Sequence, residues 1–235
     1  MKKHTIITFL AAVVLVLVGC QKKDYFEDGG KHEATFNGSI LDFLKSKPGM
    51  FDSLTKVIQL AGMESVFENE EITFFAPADS SISNTIHTIN LTLRQRGLKE
   101  VTNLNQIKPS VWRKQLNRYV FKGKKSLTDY PQLDPENLSA FPGQIYASYD
   151  GDIMNIGSVY GAAGGVSYAG YRQLMISFIP SVSTPLDYLS WYSATVASVN
   201  IAPRNGYVHA LRYTFHPFGF DTNQFFEQAL LAGID

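Results

Sequence analysis

Residues 72–80 read ITFFAPADS, and the reading of this stretch decides the fold. Ile72, Phe74, Phe75 and Ala76 run directly into Pro77, which lacks a ladder donor and biases Ala76 toward extended backbone, so a buried strand must stop there. Behind the proline, Asp79 and its neighbouring serines are placed to accept the orphan amides of a following helix. Ile82, Ile86, Ile89 and Leu91 then recur at roughly helical spacing. The stretch is a strand delivering the chain into a capped helix.

Working outward, Ile40, Leu41, Phe43 and Leu44 fall at helical spacing before Pro48-Gly49. A second helix is predicted over Phe51 to Ala61, burying Leu54, Val57, Ile58 and Leu60. GMESVFENE reads as a short amphipathic turn. Downstream, a helix opens at Pro109, tolerated in a first turn, and reaches Asn117 or Arg118 with Trp112 and Leu116 one turn apart. An extended YVF follows. QIYASYDG and DIMNIGSVYG form a hairpin turning at Asp150-Gly151, and YRQLMISFIP is a strand ended by Pro180. Two more strands flank Asn205-Gly206, and a closing helix has Asp221 or Thr222 as its cap. Helices first and mostly antiparallel strands after them make the fold α+β. GAAGG has neither the spacing nor the strand-helix setting of a dinucleotide site, and no cofactor is expected.

The chain has 235 residues, 45% hydrophobic and without net formal charge, enough apolar material for one substantial core. Its start carries Lys2, Lys3, an apolar run from Ile6 to Val18, and Gly19-Cys20, the layout of a bacterial export signal. LVGC resembles the lipobox of bacterial lipoproteins, which implies that Cys20 becomes the first mature residue and carries acyl chains that tether the domain to a membrane. The expected organisation is a signal peptide over 1–19, a flexible tether over 20–38 and a folded domain over 39–235. Cys20 is the sole cysteine, so lipidation leaves no thiol for a disulfide, a nucleophile or a thiolate metal site. Removing Lys2 and Lys3 from the 21 basic residues leaves 19 against 21 acidic ones, a balance that gives no steering toward nucleic acid.

Candidate chemistry is sparse. His209 sits in an alternating strand pattern and reads as a hydrogen-bonded, partly buried ring. His216 and Asp221 are too unevenly spaced for a metal set, and no serine lies in a nucleophile-elbow motif. Asp134 and Glu136 fall in the proline-bounded loop YPQLDPENLS and read as solvated turn residues. Two features point to binding. Between Lys99 and Lys125 eight basic residues, Lys114 and Arg118 among them, face one acid, Glu100, a pattern suited to anionic glycan or headgroups. The glycine- and tyrosine-rich segment 157–171 carries Tyr160, Tyr168 and Tyr171, with Tyr188, Trp191 and Tyr192 further on. Flat rings beside small residues make adaptable contact surface at modest ordering cost.

TFFAPADSSI, Thr73 to Ile82, resembles the first signature of the fasciclin (FAS1) domain: a threonine-led strand, then Phe75-Ala76-Pro77, one residue, and Asp79. VNIAPRNGYVHAL, Val199 to Leu211, resembles the second, with Asn205-Gly206 leading to His209, and Pro217 falls where the family places a proline after its closing strand. The resemblance covers about Gly38 to Phe218. It implies a helical layer on a twisted, mostly antiparallel sheet wedge, and a non-catalytic adhesion or matrix-interaction module of a kind that bacteria often secrete or anchor by lipid. Two departures stand out. The family's mid-domain Tyr-His pair, linked to receptor binding, is here Arg118-Tyr119, with Tyr119 in the histidine-like place. The segment 157–171 is longer than the usual connection. The expected function is therefore a lipid-anchored envelope module, at the outer membrane, that meets a protein partner through 157–171 and the basic face 108–125, where Lys114 and Arg118 lie and Tyr119 is a further possible binding residue. The alternative is a glycan-binding accessory lipoprotein of a polysaccharide uptake or degradation system. A hydrolase on the same scaffold stands third.

Overall fold

A computed structural model describes residues 34–181, 187–212 and 216–234; the signal segment and Cys20 lie outside them. β2 (Ile72–Ala76) is buried along its whole length, as a strand flanked on both sides must be, and it ends at Pro77. It pairs antiparallel with β3 (Val120–Lys122) and parallel with β8 (Gly206–Leu211). The register sets Thr73 beside Tyr207 and Phe75 beside His209, so the two signature stretches, about 120 residues apart in the chain, are adjacent strands.

The sheet continues from β8 to β7 (Tyr192–Pro203), β6 (Arg172–Phe178), β5 (Ile153–Tyr160) and β4 (Gln144–Ala147), all antiparallel neighbours. β7 is twelve residues long and changes neighbours along its length: its first half pairs with β6 and its second with β8. The path therefore curls, and its two edge strands meet again where Tyr149 N–H donates to the Val120 carbonyl at 2.8 Å.

β1 (Ala34–Phe36) lies parallel to β7 opposite Ile201 to Pro203. The tether expected to run to Gly38 therefore gives way to the fold by Ala34. Its three residues are held by β7 rather than by any pattern of their own, so local periodicity was silent about them. In the segment 157–171, residues 157–160 are the end of β5 and the remainder is the connection of the β5–β6 hairpin.

Among the described residues, six α-helices complete the α+β fold: α1 (Ile40–Lys45), α2 (Asp52–Leu60), α3 (Glu64–Asn69), α4 (Asp79–Gln95), α5 (Pro109–Leu116) and α6 (Thr222–Ala232). GMESVFENE, expected as a turn, closes into α3. α1 begins with a capping box in which Ser39 and Asp42 satisfy each other's backbone amides. The helices bury their stripes in one core with the strands: Leu54, Ile58, Ile82, Ile89, Trp112 and Phe225 share it with Phe74, Phe75, Ile156 and Ile176. A smaller cluster of Leu133, Ile179 and Trp191 lies apart from it.

Candidate binding surfaces

The signature residues hold the fold together. Thr73 is fully buried; its hydroxyl donates to the Gly123 carbonyl at 2.8 Å and accepts from Lys125 N–H at 2.9 Å, fixing the chain that leaves β3. Phe75 packs against Phe121, Tyr130 and His209. Asp79 departs from expectation. It is the first residue of α4, yet α4 receives no side-chain cap. Asp79 Oδ1 accepts instead from Leu54 N–H at 3.0 Å, in the first turn of α2, whose own N-cap position, Phe51, has no capping side chain. One helix start thus caps another, because strand β2 delivers Asp79 beside an unprovided terminus.

Asn205 does more than turn the chain. Its Oδ1 accepts from Ile40 N–H at 2.8 Å, and its Nδ2 donates to the carbonyls of Phe67 and Glu70 at 3.1 and 2.9 Å. It therefore ties the start of α1 to the end of α3 at the β7–β8 corner. Gly206 follows because a Cβ there would run into the Ile72 carbonyl. His209 is wholly buried: Asn200 N–H donates to Nδ1 at 3.3 Å and Nε2 faces the Lys125 carbonyl at 3.0 Å, so the neutral ring with its proton on Nε2 satisfies both. Burial pushes its pKa down to about 4. Asn200, at φ 57°, marks a break in the β7–β8 register, and its side chain accepts from Leu127 N–H at 2.7 Å. Pro217 is half-buried and its carbonyl accepts from Phe220 N–H.

Two candidates for surface contact are interior. Tyr119 is 0% exposed, stacked between Phe218 and Phe220. Its hydroxyl accepts from Gly219 N–H at 2.8 Å and shares a 2.7 Å hydrogen bond with His216 Nε2; burial holds that imidazole neutral, its pKa pushed down to about 3. Arg118 is 1% exposed and lies over the Phe178 ring at 3.8 Å. Its guanidinium reaches Asp152 at 3.2 Å, Gln115 at 3.1 Å, the Gly219 carbonyl and Gln224. Lys114 pairs with the same Asp152 at 2.6 Å, and Arg113 with Asp150 at 3.4 Å. The basic face expected over 108–125 is thereby corrected in its middle: Arg118 is buried, and Lys114 and Arg113 are paired with two aspartates from the β4–β5 turn, which no reading of the helix alone reveals.

The glycine and tyrosine hairpin behaves otherwise. Gly164 and Gly165, both at positive φ, make the two-residue tip between Ala163 and Val166, whose backbones bond each other in both directions. Tyr171 is 70% exposed and Tyr168 40%. Tyr168 sits at φ 62°, a conformation costing a non-glycine residue on the order of 1–2 kcal/mol. It is held there by a 2.6 Å hydrogen bond from its hydroxyl to Asp134 Oδ2 and by edge contact with Phe141. Asp134 also accepts from Glu136 N–H at 2.9 Å, so the supposed solvated turn residue positions the tyrosine. Tyr160 is half-buried under the Arg172 guanidinium. Between these groups lies a groove of about 340 Å³ lined by Asp134, Glu136, Tyr160, Ser167 and Tyr168. Trp191, by contrast, is 8% exposed and packs on Tyr188, Leu133 and Ile179. It is a core residue and not a contact ring.

No family model matches the sequence, and no curated protein matches it. Among solved structures, the fold is similar to a FAS1 domain pair from the insect cell adhesion molecule fasciclin I, at 14% identity and a TM-score of 0.47. The likeness covers 76% of this chain and 50% of that one, so the chain spans half the length of that pair.

Proposed function

We propose that the chain is a non-catalytic FAS1-type adhesion or assembly module, tethered to the bacterial outer membrane by lipid on Cys20, and that the β5–β6 hairpin is its contact face. The observation that carries this reading is Tyr168, kept in a strained left-handed conformation by Asp134 beside the exposed Tyr171. Backbone strain of this kind persists where surrounding structure maintains it, and it concentrates at ligand clamps and switch regions. The signature residues support the scaffold half of the reading, since each of Thr73, Asp79, Asn205 and His209 is engaged in joining elements. The tether half rests on the Lys2 to Cys20 pattern in the sequence.

The test has two arms. Labelled palmitate should appear on the native chain and not on Cys20→Ser. Crosslinking in intact cells followed by purification should yield a stoichiometric envelope protein whose recovery falls at least tenfold with Tyr168→Ala and Tyr171→Ala. A second reading, a glycan-binding accessory lipoprotein, is favoured by the groove, where carboxylates and ring faces lie together as sugar hydroxyls and sugar faces require. Binding on a glycan array, lost with the same substitutions and without a protein partner, would select it.

A further inference from the structure

The two edge strands leave a seam. Gly123 N–H donates to the Glu71 carbonyl, so in the β2–β3 pair the closely bonded residues are Glu71 with Gly123 and Thr73 with Phe121. Val120 and Lys122 consequently turn their backbone N–H and C=O away from β2. In the β4–β5 pair Ser148 N–H donates to the Asp152 carbonyl, and by the same alternation Ile145 and Ala147 turn their N–H and C=O away from β5. The Tyr149–Val120 bond closes one end of the seam. Beyond it, the outward backbone groups of Lys122, Ile145 and Ala147 bond no other segment among the described residues.

Between the edges lies a cleft of about 540 Å³. Its inner wall is aromatic: the Tyr146 ring makes edge contact with both Phe121 and Tyr130, beside Ile156. Its outer margin is cationic. Lys122 stands over the Tyr149 ring at 5.2 Å and Lys125 over Tyr146 at 5.7 Å, and neither forms an ion pair among the described residues. The neighbouring acids are engaged: Asp150 with Arg113 and Asn117, Glu70 with the Tyr149 hydroxyl, Asp129 with Ser126.

The geometry points to an extended acidic peptide as the occupant of this seam, added as a strand between β3 and β4. Main-chain donors and acceptors on both walls are what a strand pairs with. The alternation of the walls sets the side-chain chemistry: apolar residues inward on Phe121 and Tyr146, carboxylates outward toward Lys122 and Lys125. A saccharide would meet the lysines and rings but would leave the strand edges unanswered, which is why the peptide is favoured. This surface is separate from the hairpin groove.

The test uses the mature chain and a fluorescein-labelled alternating Glu-Val hexapeptide, read by fluorescence anisotropy. The peptide should bind one to one, and its affinity should fall at least tenfold for the Lys122→Glu/Lys125→Glu double variant. Ala147→Pro removes an N–H that no ladder bond uses and should abolish binding while circular dichroism stays unchanged. The same peptide methylated at every amide nitrogen, and an alternating Lys-Val hexapeptide, should both fail on the native chain, which decides the matter even if Ala147→Pro does not fold. Absence of binding by the Glu-Val peptide, or equal binding by its methylated form, overturns the proposal. So does a galacturonate hexamer that binds in its place and ignores Ala147→Pro. Loss of the envelope partner with peptide binding retained would remove the hairpin reading alone.

Discussion

Asp79 Oδ1 accepts a 3.0 Å hydrogen bond from the amide of Leu54, 25 residues earlier, and so caps α2 from the start of α4. Asp79→Ala should lower stability by about 1–2 kcal/mol, the usual cost of losing an N-cap, and urea denaturation should show this as a lower midpoint at unchanged slope. Amide exchange discriminates between the two helices: the Leu54 N–H should exchange faster in the variant, whereas a cap acting on α4 would leave it protected.

Asn205→Ala would strip partners from Ile40 N–H and from the Phe67 and Glu70 carbonyls at a corner joining α1, α3 and β8. A loss of roughly 2–4 kcal/mol is expected from groups left unsatisfied. Gly206→Ala should be at least as harmful, because its methyl would occupy the position of the Ile72 carbonyl and part β2 from β8. A thermal melt of each variant checks the order.

Acid should weaken the fold well above the range where carboxylates titrate. His209 and His216 are neutral in the folded state, with pKa values held by burial at about 4 and about 3, below the unfolded value near 6.5. Their depressed folded pKa values mean that the unfolded chain binds more protons between those limits. Stability is therefore complete above pH 6.5 and is lost as pH falls, by about 1.4 kcal/mol per pH unit for each ring. Asp42 and Asp129 are also held low, by hydrogen bonds from Ser39 and Ser126, but their contribution is lost below the ordinary carboxylate range. Denaturation at pH 7 and pH 5 should show the drop, and His216→Gln should roughly halve its slope.

Trp191 and Tyr171 should separate core from surface. Trp191→Ala removes the centre of the cluster with Leu133 and Ile179 and should cost about 3–5 kcal/mol. Tyr171→Ala should leave the melting temperature within a degree or two, since an exposed ring adds little to stability. Equal effects on the two melts would contradict the assignment.

Much of the scaffold was legible because the signals were local. Pro77 ended its strand and Pro109 opened its helix, while the helix expected over Phe51 to Ala61 matches α2 to within a residue at each end. The failures share one cause, that a side chain's partner can lie anywhere in the chain. Asp79 has the composition of a cap for its own helix, and only the packing of α4 on α2 redirects it. Arg118 and Lys114 read as a basic face until Asp152 arrives from the β4–β5 turn. Tyr119 is consecutive with Arg118 but finds its histidine 97 positions on, at His216. The Tyr168–Asp134 pair likewise joins two segments 34 positions apart, one read as a contact surface and the other as a solvated turn, and neither reading foresaw the other.

The central claim, that the β5–β6 hairpin is the contact face of a non-catalytic module, is most directly tested by site-specific photocrosslinking in intact cells. A benzophenone side chain placed at position 171 should trap one envelope partner in stoichiometric yield, and the same probe at position 231, exposed on α6, should trap none. An equal crosslinking pattern from both positions, or no partner from position 171 in cells that display the protein, would contradict the account.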